Sequence, residues 1–304
     1  MSWDPRRLPS AAGRTFVVTG GNAGIGYFTT EELASTGARV ILASRSAEKA
    51  ERAMASARER FPGAQLEFVP LDLSSLSSVA DAAEQLRGLG PLDGLINNAG
   101  LVSPPAHRTL TEDGNEIVVG SNFFGHFALT AQAWPAMTPT ARVVGLGSMA
   151  TRMVRLDQSD LLSERRYRPF RAYGFSKHAV HGFAFELDRR IRAAGEHRLS
   201  LLAHPGFSVD GLSERRPGIN DISRATRLRD GILAIAGQGK QQGAWPAVRA
   251  ALDPDAVSGQ FYGPSRTLTG PPVVMAPVVS SATPEFGAYV WALAEEHTGV
   301  TFTV

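Results

Sequence analysis

Apolar residues occur along the chain in short runs, separated by longer stretches in which they recur with helical spacing. The short runs are rich in branched aliphatic residues and predict seven strands, at residues 14–19, 38–43, 66–71, 94–97, 141–147, 199–203 and 260–262. Between them the spacing predicts helices at 24–36, 46–60, from 74 onward, 115–134, 173–194 and 241–252, and a terminal helix at 284–298. This alternation favours an α/β fold with an open parallel sheet.

Three stretches interrupt the alternation. Residues 149–172 form a long arginine-rich insertion, which we interpret as a lid or substrate loop. Residues 207–229 are irregular and polar, and the proline-rich residues 264–284 predict a connector. Because no repeat, low-complexity segment or interdomain linker occurs, the sequence predicts one domain over residues 1–304, with a core at 14–263 and a C-terminal extension at 264–304.

Composition narrows the class of protein. A chain of 304 residues, 43% of them apolar, is long enough to bury a packed core, and a net charge of +2 without long blocks of like charge argues against a nucleic-acid partner. The lack of cysteine excludes disulfides and cysteine zinc sites and fits a reducing compartment. No apolar run approaches the about 18 residues that span a bilayer, and we find no signal peptide. We therefore expect a cytoplasmic protein without a membrane partner.

Glycines follow the first strand in the pattern Thr19-Gly20-x-x-x-Gly24-x-Gly26 and open the first helix. Such a turn lets backbone N–H groups approach a pyrophosphate at the positive end of the helix. The sequence therefore predicts a dinucleotide site here, with a purely structural turn as the alternative.

The second strand ends in Ser44-Arg45-Ser46, where an NAD enzyme would carry an acidic residue that binds ribose. An arginine flanked by hydroxyls can instead meet a 2′-phosphate, so we expect NADP, with NADPH preferred over NADH. The alternative is a helix-capping segment with Ser46 as N-cap, which is compatible with either cofactor.

Polar and small residues also follow the later strands. Asp72 can accept a hydrogen bond from an adenine amine or cap the next helix, and the small residues of Asn98-Ala99-Gly100 let a flat ligand lie against the backbone. Asn122 lies on a helix and Ser148 ends the fifth strand, both beside the predicted ligand crevice.

Tyr173 and Lys177 are four residues apart on a predicted helix and can point into one site. Lys49, Lys177 and Lys240 are the only lysines of the chain. At about 4 Å and an effective dielectric of ~20, an ammonium contributes up to roughly 4 kcal/mol to stabilising a phenolate. The pair therefore indicates a phenol that works as general acid or base, the alternative being an ordinary amphipathic helix with an exposed lysine.

The remaining polar clusters are interpreted as structural. His178 and His181 are three residues apart, but no third ligand stands out, so we expect partners across a helix interface and no metal. His204 ends a strand and is interpreted in the same way. Six arginines of the insertion could bind an anionic substrate, but we favour the interpretation that they are solvated loop charges. They are Arg152, Arg155, Arg165, Arg166, Arg168 and Arg171.

Together the motifs resemble those of the short-chain dehydrogenase/reductase family over residues 14–263. They are Thr19-Gly20-x-x-x-Gly24-Ile25-Gly26, Asn97-Asn98-Ala99-Gly100, Asn122, Ser148, Tyr173-x-x-x-Lys177 and Pro205-Gly206. Residues 42–45, 165–170 and 183–187 are similar to the retinol-dehydrogenase-like branch. The resemblance implies a Rossmann-type doubly wound parallel sheet of order 3-2-1-4-5-6-7, with helices on both faces and a bound nicotinamide dinucleotide.

The resemblance also implies roles for matching residues. Tyr173 would be the general acid/base, Lys177 would lower its pKa and hold the nicotinamide ribose, Ser148 would bind the substrate oxygen, and Asn122 would position a proton-relay water. The implied cofactor contacts are Gly20, Asn22, Gly24, Ile25, Gly26, Ser44, Arg45, Asp72, Leu73, Asn98, Ala99, Gly100, Tyr173, Lys177, Pro205 and Gly206. A homodimer or homotetramer is also implied, and the apolar outer face of the Tyr173 helix is compatible with it.

Two departures from the family pattern stand out. Asp210 occupies a position where the family has a threonine that holds the nicotinamide carboxamide or the phosphates, and Ser208 replaces an aliphatic residue. The Asp210 carboxylate would repel a diphosphate if it pointed inward. Ser148 and Tyr173 are 25 positions apart, a longer interval than is usual, so the intervening loop is a candidate specificity element.

The leading hypothesis is an NADPH-dependent reductase of a bulky, mostly apolar ketone or aldehyde. Candidates for an apolar pocket, each with core packing as the alternative, are Leu101, Val102, Met149, Met153, Phe170 and Phe207. One competing hypothesis is NAD-dependent alcohol oxidation at the same site. Another is a non-catalytic dinucleotide sensor, for which Asp210 is the main argument.

Overall fold

The computed structural model describes residues 3–304, apart from the side chains of residues 224 and 233. Eight strands form one sheet in the order 3-2-1-4-5-6-7-8. They are β1 (Thr15–Thr19), β2 (Arg39–Ser44), β3 (Gln65–Pro70), β4 (Leu92–Asn97), β5 (Met137–Leu146), β6 (Leu199–Ala203), β7 (Phe261–Pro264) and β8 (Pro272–Met275). Strands β1 to β7 are parallel, as the sequence predicts. The stretch predicted as a connector supplies β8, which pairs antiparallel with β7.

Helices cover both faces of the sheet. They are α1 (Gly24–Ser35), α2 (Ala47–Arg60), α3 (Leu76–Gly88), α4 (Ile117–Val119, a π-helical segment Gly120–Phe124, and Gly125–Ala133), α5 (Ala150–Met153), α6 (Pro169–Ala193), α7 (Arg224–Gly231), α8 (Lys240–Leu252) and α9 (Pro284–Thr298). Short 3₁₀ segments occur at Trp134–Ala136, Gln158–Asp160, Asp210–Leu212, Ile232–Ile235 and Val279–Ser281. A separate two-stranded pair joins Ser208–Val209 to Gln238–Gly239.

Local residue choice explains where the helices begin. The Ser46 side chain accepts a hydrogen bond from the Lys49 N–H, which confirms Ser46 as N-cap of α2. The prediction for α6 was wrong at its start, because the helix begins at Pro169 and not at Tyr173. A proline suits the first turn, since its missing N–H would have no helical partner there.

The core lies on both sides of the sheet because side chains alternate along each strand. In β1, Phe16 and Val18 pack with α1, α2 and α8, whereas Val17 points to the face covered by α3, α4 and α6. Helix α9 packs on that second face, where Trp291 stacks on Phe302 with 4.9 Å between ring centroids.

Helix α9 also covers the outer face of α6. Phe286 and Val290 lie so close to Gly182 that a Cβ there would come within 3.0 Å of both side chains. Trp291 of α9 also packs on Phe183 of α6, which is 5% exposed. Helix α9 therefore covers this part of α6, and the homodimer or homotetramer stays a prediction.

Charge pairs order the insertion at residues 149–172. Arg171 Nη2 lies 2.9 Å from Asp157 Oδ2 and 3.6 Å from the buried Asp160, and Arg165 approaches both carboxylates. The Tyr167 hydroxyl donates a hydrogen bond to the Pro105 carbonyl (3.0 Å). Arg165 and Arg171 are therefore ion-paired, which corrects the interpretation of all six arginines as solvated loop charges.

None of the helices within residues 3–304 combines the length and the hydropathy that crossing a bilayer requires.

Candidate active site

Tyr173, Ser148 and Lys177 come together at the carboxyl end of β5. The Ser148 hydroxyl lies beside the Tyr173 phenol, near enough to lower its pKa. Lys177 Nζ lies 5.8 Å from the centroid of the Tyr173 ring and donates to the Leu146 carbonyl (2.8 Å). The turn after β5 and the i, i+4 spacing on α6 therefore place a phenol, a hydroxyl and an ammonium in one site.

Burial controls the titration of this group. Burial raises the pKa of Tyr173, and the neighbouring Ser148 hydroxyl opposes this rise. Burial also lowers the pKa of Lys177 to about 8, so the ammonium is only weakly held in its charged form. Desolvation is therefore the largest influence on the pKa of Tyr173 in this arrangement, and the lowering of that pKa by Lys177 stays a prediction.

The buried ammonium has a measurable effect on stability. The pKa of Lys177 falls from 10.5 in the unfolded chain to about 8, so the unfolded state binds more protons between these values and stability rises with pH there. We expect the difference in unfolding free energy between wild type and Lys177→Met to change by roughly 3 kcal/mol over this range, in favour of wild type as pH rises.

Chemical denaturation of both proteins at several pH values measures this difference, and other titrating groups cancel in it. Lys49→Met, which alters an exposed side chain on α2, is the control. A difference that stays constant with pH would contradict the burial argument.

Asn122 lies within the π-helical segment of α4, where one extra residue per turn re-aims the side chains. Its Oδ1 accepts from the Leu101 N–H (2.6 Å), and its Nδ2 donates to Ser176 Oγ (3.0 Å). A Cβ on Gly100 would lie 3.1 Å from Asn122 Oδ1 and 3.6 Å from Lys177 Nζ. Asn122 therefore lies next to the Tyr173 site, and its side chain is held by hydrogen bonds to Leu101 and Ser176.

The sequence interpretation missed His126, which connects two parts of the site. His126 Nδ1 lies 3.0 Å from the Asn122 carbonyl, and Nε2 lies 2.9 Å from Thr19 Oγ1. Burial lowers the pKa of His126 to about 4, so the ring is neutral, and a carbonyl can only accept. Nδ1 therefore carries the proton. The i, i+4 spacing from Asn122 is the signal that could have revealed this residue.

The glycine loop fits a dinucleotide. Gly20 and Gly24 have φ values of 66° and 57°, and a Cβ on Gly26 would overlap the Gly20 carbonyl and Asn98 Nδ2. No side chain caps the first turn of α1, so its N–H groups face outward for a ligand. Asn22 and Ile25 are half-buried in the same loop.

Asn98 and Ala99 hold this loop in place. Their backbone N–H groups both donate to Thr19 Oγ1 (2.9 Å each), and Asn98 Nδ2 donates to the Thr19 carbonyl (2.7 Å). These bonds tie the end of β4 to the end of β1.

Ser44 and Arg45, which the sequence assigns to a 2′-phosphate, lie at the end of β2 and directly after it. Ser44 is buried, and its hydroxyl has no hydrogen-bond partner within residues 3–304. Arg45 is exposed and makes no ion pair with any residue in that range. A buried hydroxyl without a partner costs free energy that an anionic ligand would offset.

Asp72 does not cap α3, because Ser75 is the N-cap of that helix, and the contact of Asp72 with adenine stays a prediction. Its Oδ1 accepts from the Ser74 N–H (2.9 Å) and hydroxyl (2.6 Å) before α3. The adjacent Leu73 packs its carbonyl against Gly125 of α4, where no Cβ would fit. Both residues lie at the carboxyl end of β3.

Pro205 and Gly206 form a tight turn after β6. Gly206 has φ 67°, and a Cβ there would overlap the Leu268 carbonyl. The Pro205 carbonyl accepts from Ser208 Oγ (2.8 Å) and from Gln238 Nε2 (2.9 Å). Farther along, Asp210 lies 2.7 Å from Lys240 Nζ, so the carboxylate that was expected to repel a diphosphate is charge-paired.

The histidines have the structural environments that the sequence predicts, with one exception. His178 contacts Ser281 Oγ (2.6 Å) and the Val154 carbonyl (2.8 Å) across helix interfaces, which confirms its interpretation. His204 Nδ1 accepts from the Gly206 N–H (3.1 Å). His181 is buried against Phe261 and has no hydrogen-bond partner within residues 3–304.

Four of the six apolar pocket candidates are exposed, and so do not belong to the core: Val102, Met153, Phe170 and Phe207, at 69%, 72%, 52% and 41%. Leu101 and Met149 are half-buried. Met153 lines a cavity of about 1020 Å³ between residues 151–158 and 276–286, and Tyr173 is not among its lining residues.

This fold and site define a dinucleotide-binding α/β oxidoreductase. The model of the short chain dehydrogenase family matches residues 14–200. The chain therefore belongs to the short-chain dehydrogenase/reductase family, in its retinol-dehydrogenase-like branch, and is an NAD(P)-dependent oxidoreductase that acts on CH–OH or C=O groups.

Three known proteins illustrate the similarity. Polyprenol dehydrogenase of Mus musculus is 36% identical over 266 residues, covering 84% of this chain and 77% of the relative. Retinol dehydrogenase 13 of Homo sapiens is 35% identical over 256 residues, covering 82% and 76%. A crystal structure of an uncharacterized protein from Mycobacterium Paratuberculosis has a TM-score of 0.80 and 35% identity over 100% of both chains.

Proposed function

We propose that the protein is an NADPH-dependent carbonyl reductase that acts on a bulky, mostly apolar ketone or aldehyde. The observation that carries this proposal is the placement of the Tyr173 phenol beside the Ser148 hydroxyl, with the buried ammonium of Lys177 5.8 Å from the centroid of the Tyr173 ring. A phenol and a hydroxyl that lie side by side can both reach a single substrate oxygen, on which negative charge develops during reduction.

A bound nicotinamide supplies the hydride. Tyr173 gives its phenolic proton to the substrate oxygen, and Ser148 donates a hydrogen bond to the same oxygen. Because burial raises the pKa of Tyr173, the phenol is protonated at neutral pH, as a proton donor must be. Lys177 holds the nicotinamide ribose, and Asn122 positions a water that resupplies the proton.

The remaining residues hold the rest of the cofactor. The diphosphate would lie on the glycine loop, the 2′-phosphate would meet Ser44 and Arg45, and the adenosine and nicotinamide would lie at the ends of the later strands. The assigned contacts are Gly20, Asn22, Gly24, Ile25 and Gly26 for the diphosphate, Asp72, Leu73, Asn98, Ala99 and Gly100 for adenosine, and Pro205 and Gly206 for nicotinamide.

Exposed apolar side chains support the substrate class. Val102, Phe170 and Phe207 flank the segments that form the crevice and lie at the surface, where they can contact an apolar substrate. Two similar proteins are named for polyprenol and retinol, which are apolar alcohols. NADPH consumption with a panel of apolar and polar ketones tests the proposal, which fails if only polar ketones, or none, are reduced.

Arg45 is expected to determine the cofactor preference. Removing it in Arg45→Ala deletes a charged contact to the 2′-phosphate, so NADPH should bind about tenfold or more weakly while NADH binding stays unchanged. Titration of both cofactors measures the two dissociation constants. Arg52→Ala, which alters another exposed arginine nearby on α2, is the matched control. Equal losses for NADPH and NADH would contradict this assignment.

NAD-dependent alcohol oxidation at the same site is the second candidate, and the names of the two dehydrogenase relatives favour it. It predicts tighter binding of NADH than NADPH and turnover with apolar alcohols. The sensor hypothesis loses its main argument, because Lys240 pairs with Asp210.

We also propose a single-domain cytoplasmic enzyme that forms a homodimer or homotetramer. The lack of cysteine supports the compartment, and the family supports the assembly.

A further inference from the structure

Lys240 and Asp210 form an ion pair directly above the glycine loop. Lys240 Nζ lies 2.7 Å from the Asp210 carboxylate, and a Cβ built on Gly24 would lie 3.5 Å from the same nitrogen. The ammonium thus stands beside the first residue of α1, at the uncapped N-terminal turn that fits a diphosphate. Lys240 does not belong to the cofactor contacts that the family motifs imply, and Asp210 departs from the threonine of the family pattern.

The position of Lys240 is fixed from its backbone. Lys240 is the first residue of α8, a helix that packs against α1, and its N–H donates to Ser213 Oγ (2.9 Å). Asp210 begins the 3₁₀ segment that ends just before Ser213. The lysine and the aspartate therefore come from two elements that are already joined by the hydrogen bond from the Lys240 N–H to Ser213. Separating the ammonium from the carboxylate requires only their side chains to move.

Replacing Asp210 by a ligand phosphate as the partner of Lys240 costs little free energy. The side chains of Lys240 and Asp210 are 23% and 43% exposed, and ion pairs accessible to water contribute little to stability. A diphosphate at the N-terminus of α1 has more negative charge than one carboxylate and also accepts hydrogen bonds from backbone N–H groups. An ammonium in this position is therefore better paired with the ligand than with Asp210.

We propose that Lys240 is a ligand of the cofactor diphosphate and that Asp210 is the counter-ion it leaves when the cofactor binds. This inference rests on the dinucleotide site of the proposed function. It also gives a physical reason for an acidic residue at position 210: the carboxylate keeps the ammonium over the glycine loop in the free protein and competes with the cofactor for it.

The diphosphate is common to NADPH and NADH, whereas the 2′-phosphate is not. Lys240 should therefore affect both dinucleotides equally, in contrast to Arg45. Adenosine 2′-monophosphate carries the 2′-phosphate but has neither a 5′-phosphate nor the nicotinamide, so it reports on the Arg45 end of the site alone.

Equilibrium titration of the purified protein with NADPH, NADH and adenosine 2′-monophosphate tests the proposal without measuring turnover. Lys240→Met should weaken binding of both dinucleotides about tenfold and leave binding of the monophosphate unchanged, and Lys240→Arg should restore most of the loss. Thermal unfolding of each variant shows whether the fold is intact. Unchanged dinucleotide affinities in a folded Lys240→Met protein would overturn the proposal. The ion pair would then only connect the 3₁₀ segment at Asp210 to α8.

Asp210→Asn tests the exchange itself. Removing the competing carboxylate should tighten both dinucleotides about threefold to tenfold, and this gain should be absent in the Lys240→Met background, where no ammonium is left to release. Weaker binding by Asp210→Asn would overturn the exchange. If the wild-type protein binds neither dinucleotide, the proposed function fails; if it binds both and only the lysine variant is without effect, this inference alone fails.

Discussion

Tyr173→Phe is expected to lower kcat for ketone reduction by about 10²–10⁴-fold, because the variant has no phenolic proton to give to the substrate oxygen. Cofactor affinity should change little, since the ring remains in place and Lys177 keeps its bond to the Leu146 carbonyl. Steady-state kinetics together with a cofactor titration measure the two quantities separately.

Tyr289→Phe is the matched control. It removes a hydroxyl that donates to the Gln158 carbonyl (3.1 Å), away from the site, so kcat should be unchanged. Turnover by Tyr173→Phe equal to that of wild type would remove the phenol from the mechanism, and a water or Ser148 would then have to supply the proton.

Gly26→Ala is expected to weaken dinucleotide binding by about 100-fold, the equivalent of roughly 3 kcal/mol. The new methyl group would overlap the Gly20 carbonyl and Asn98 Nδ2, so the loop that carries the diphosphate must shift. Because both contacts are with atoms held by the ends of β1 and β4, the shift also disturbs the bonds of Asn98 to Thr19.

Gly88→Ala provides the comparison for this variant. Gly88 ends α3, and a Cβ there would meet no atom within 4 Å, so the added methyl group should leave binding unchanged. Circular dichroism of both variants separates loss of the site from loss of the fold. Wild-type affinity in Gly26→Ala would contradict the placement of the diphosphate on this loop.

Most of the sheet could be predicted from the sequence because each parallel strand coincides with a short apolar run. The carboxyl ends of β1, β2 and β4 agree with prediction to within one residue. The capping role of Ser46 could also be predicted from local sequence, because a serine directly before an amphipathic helical stretch is a preferred N-cap.

The remaining features depend on contacts between distant segments. Strand β8 lies in a proline-rich stretch without a strand pattern, and it exists because the open edge of β7 offers backbone partners. The pairing of Asp210 with Lys240 joins residues 30 positions apart and could not be predicted from local spacing. The raised pKa of Tyr173 follows from burial, a quantity that a four-residue motif does not contain.

The placement of α9 over α6 has a consequence for how this chain behaves in water. Trp291 of α9 packs on Phe127 and Phe183, so shortening the chain before Pro284 would expose these two rings to water and favour aggregation. The C-terminal helix therefore protects an apolar surface of the catalytic domain from solvent.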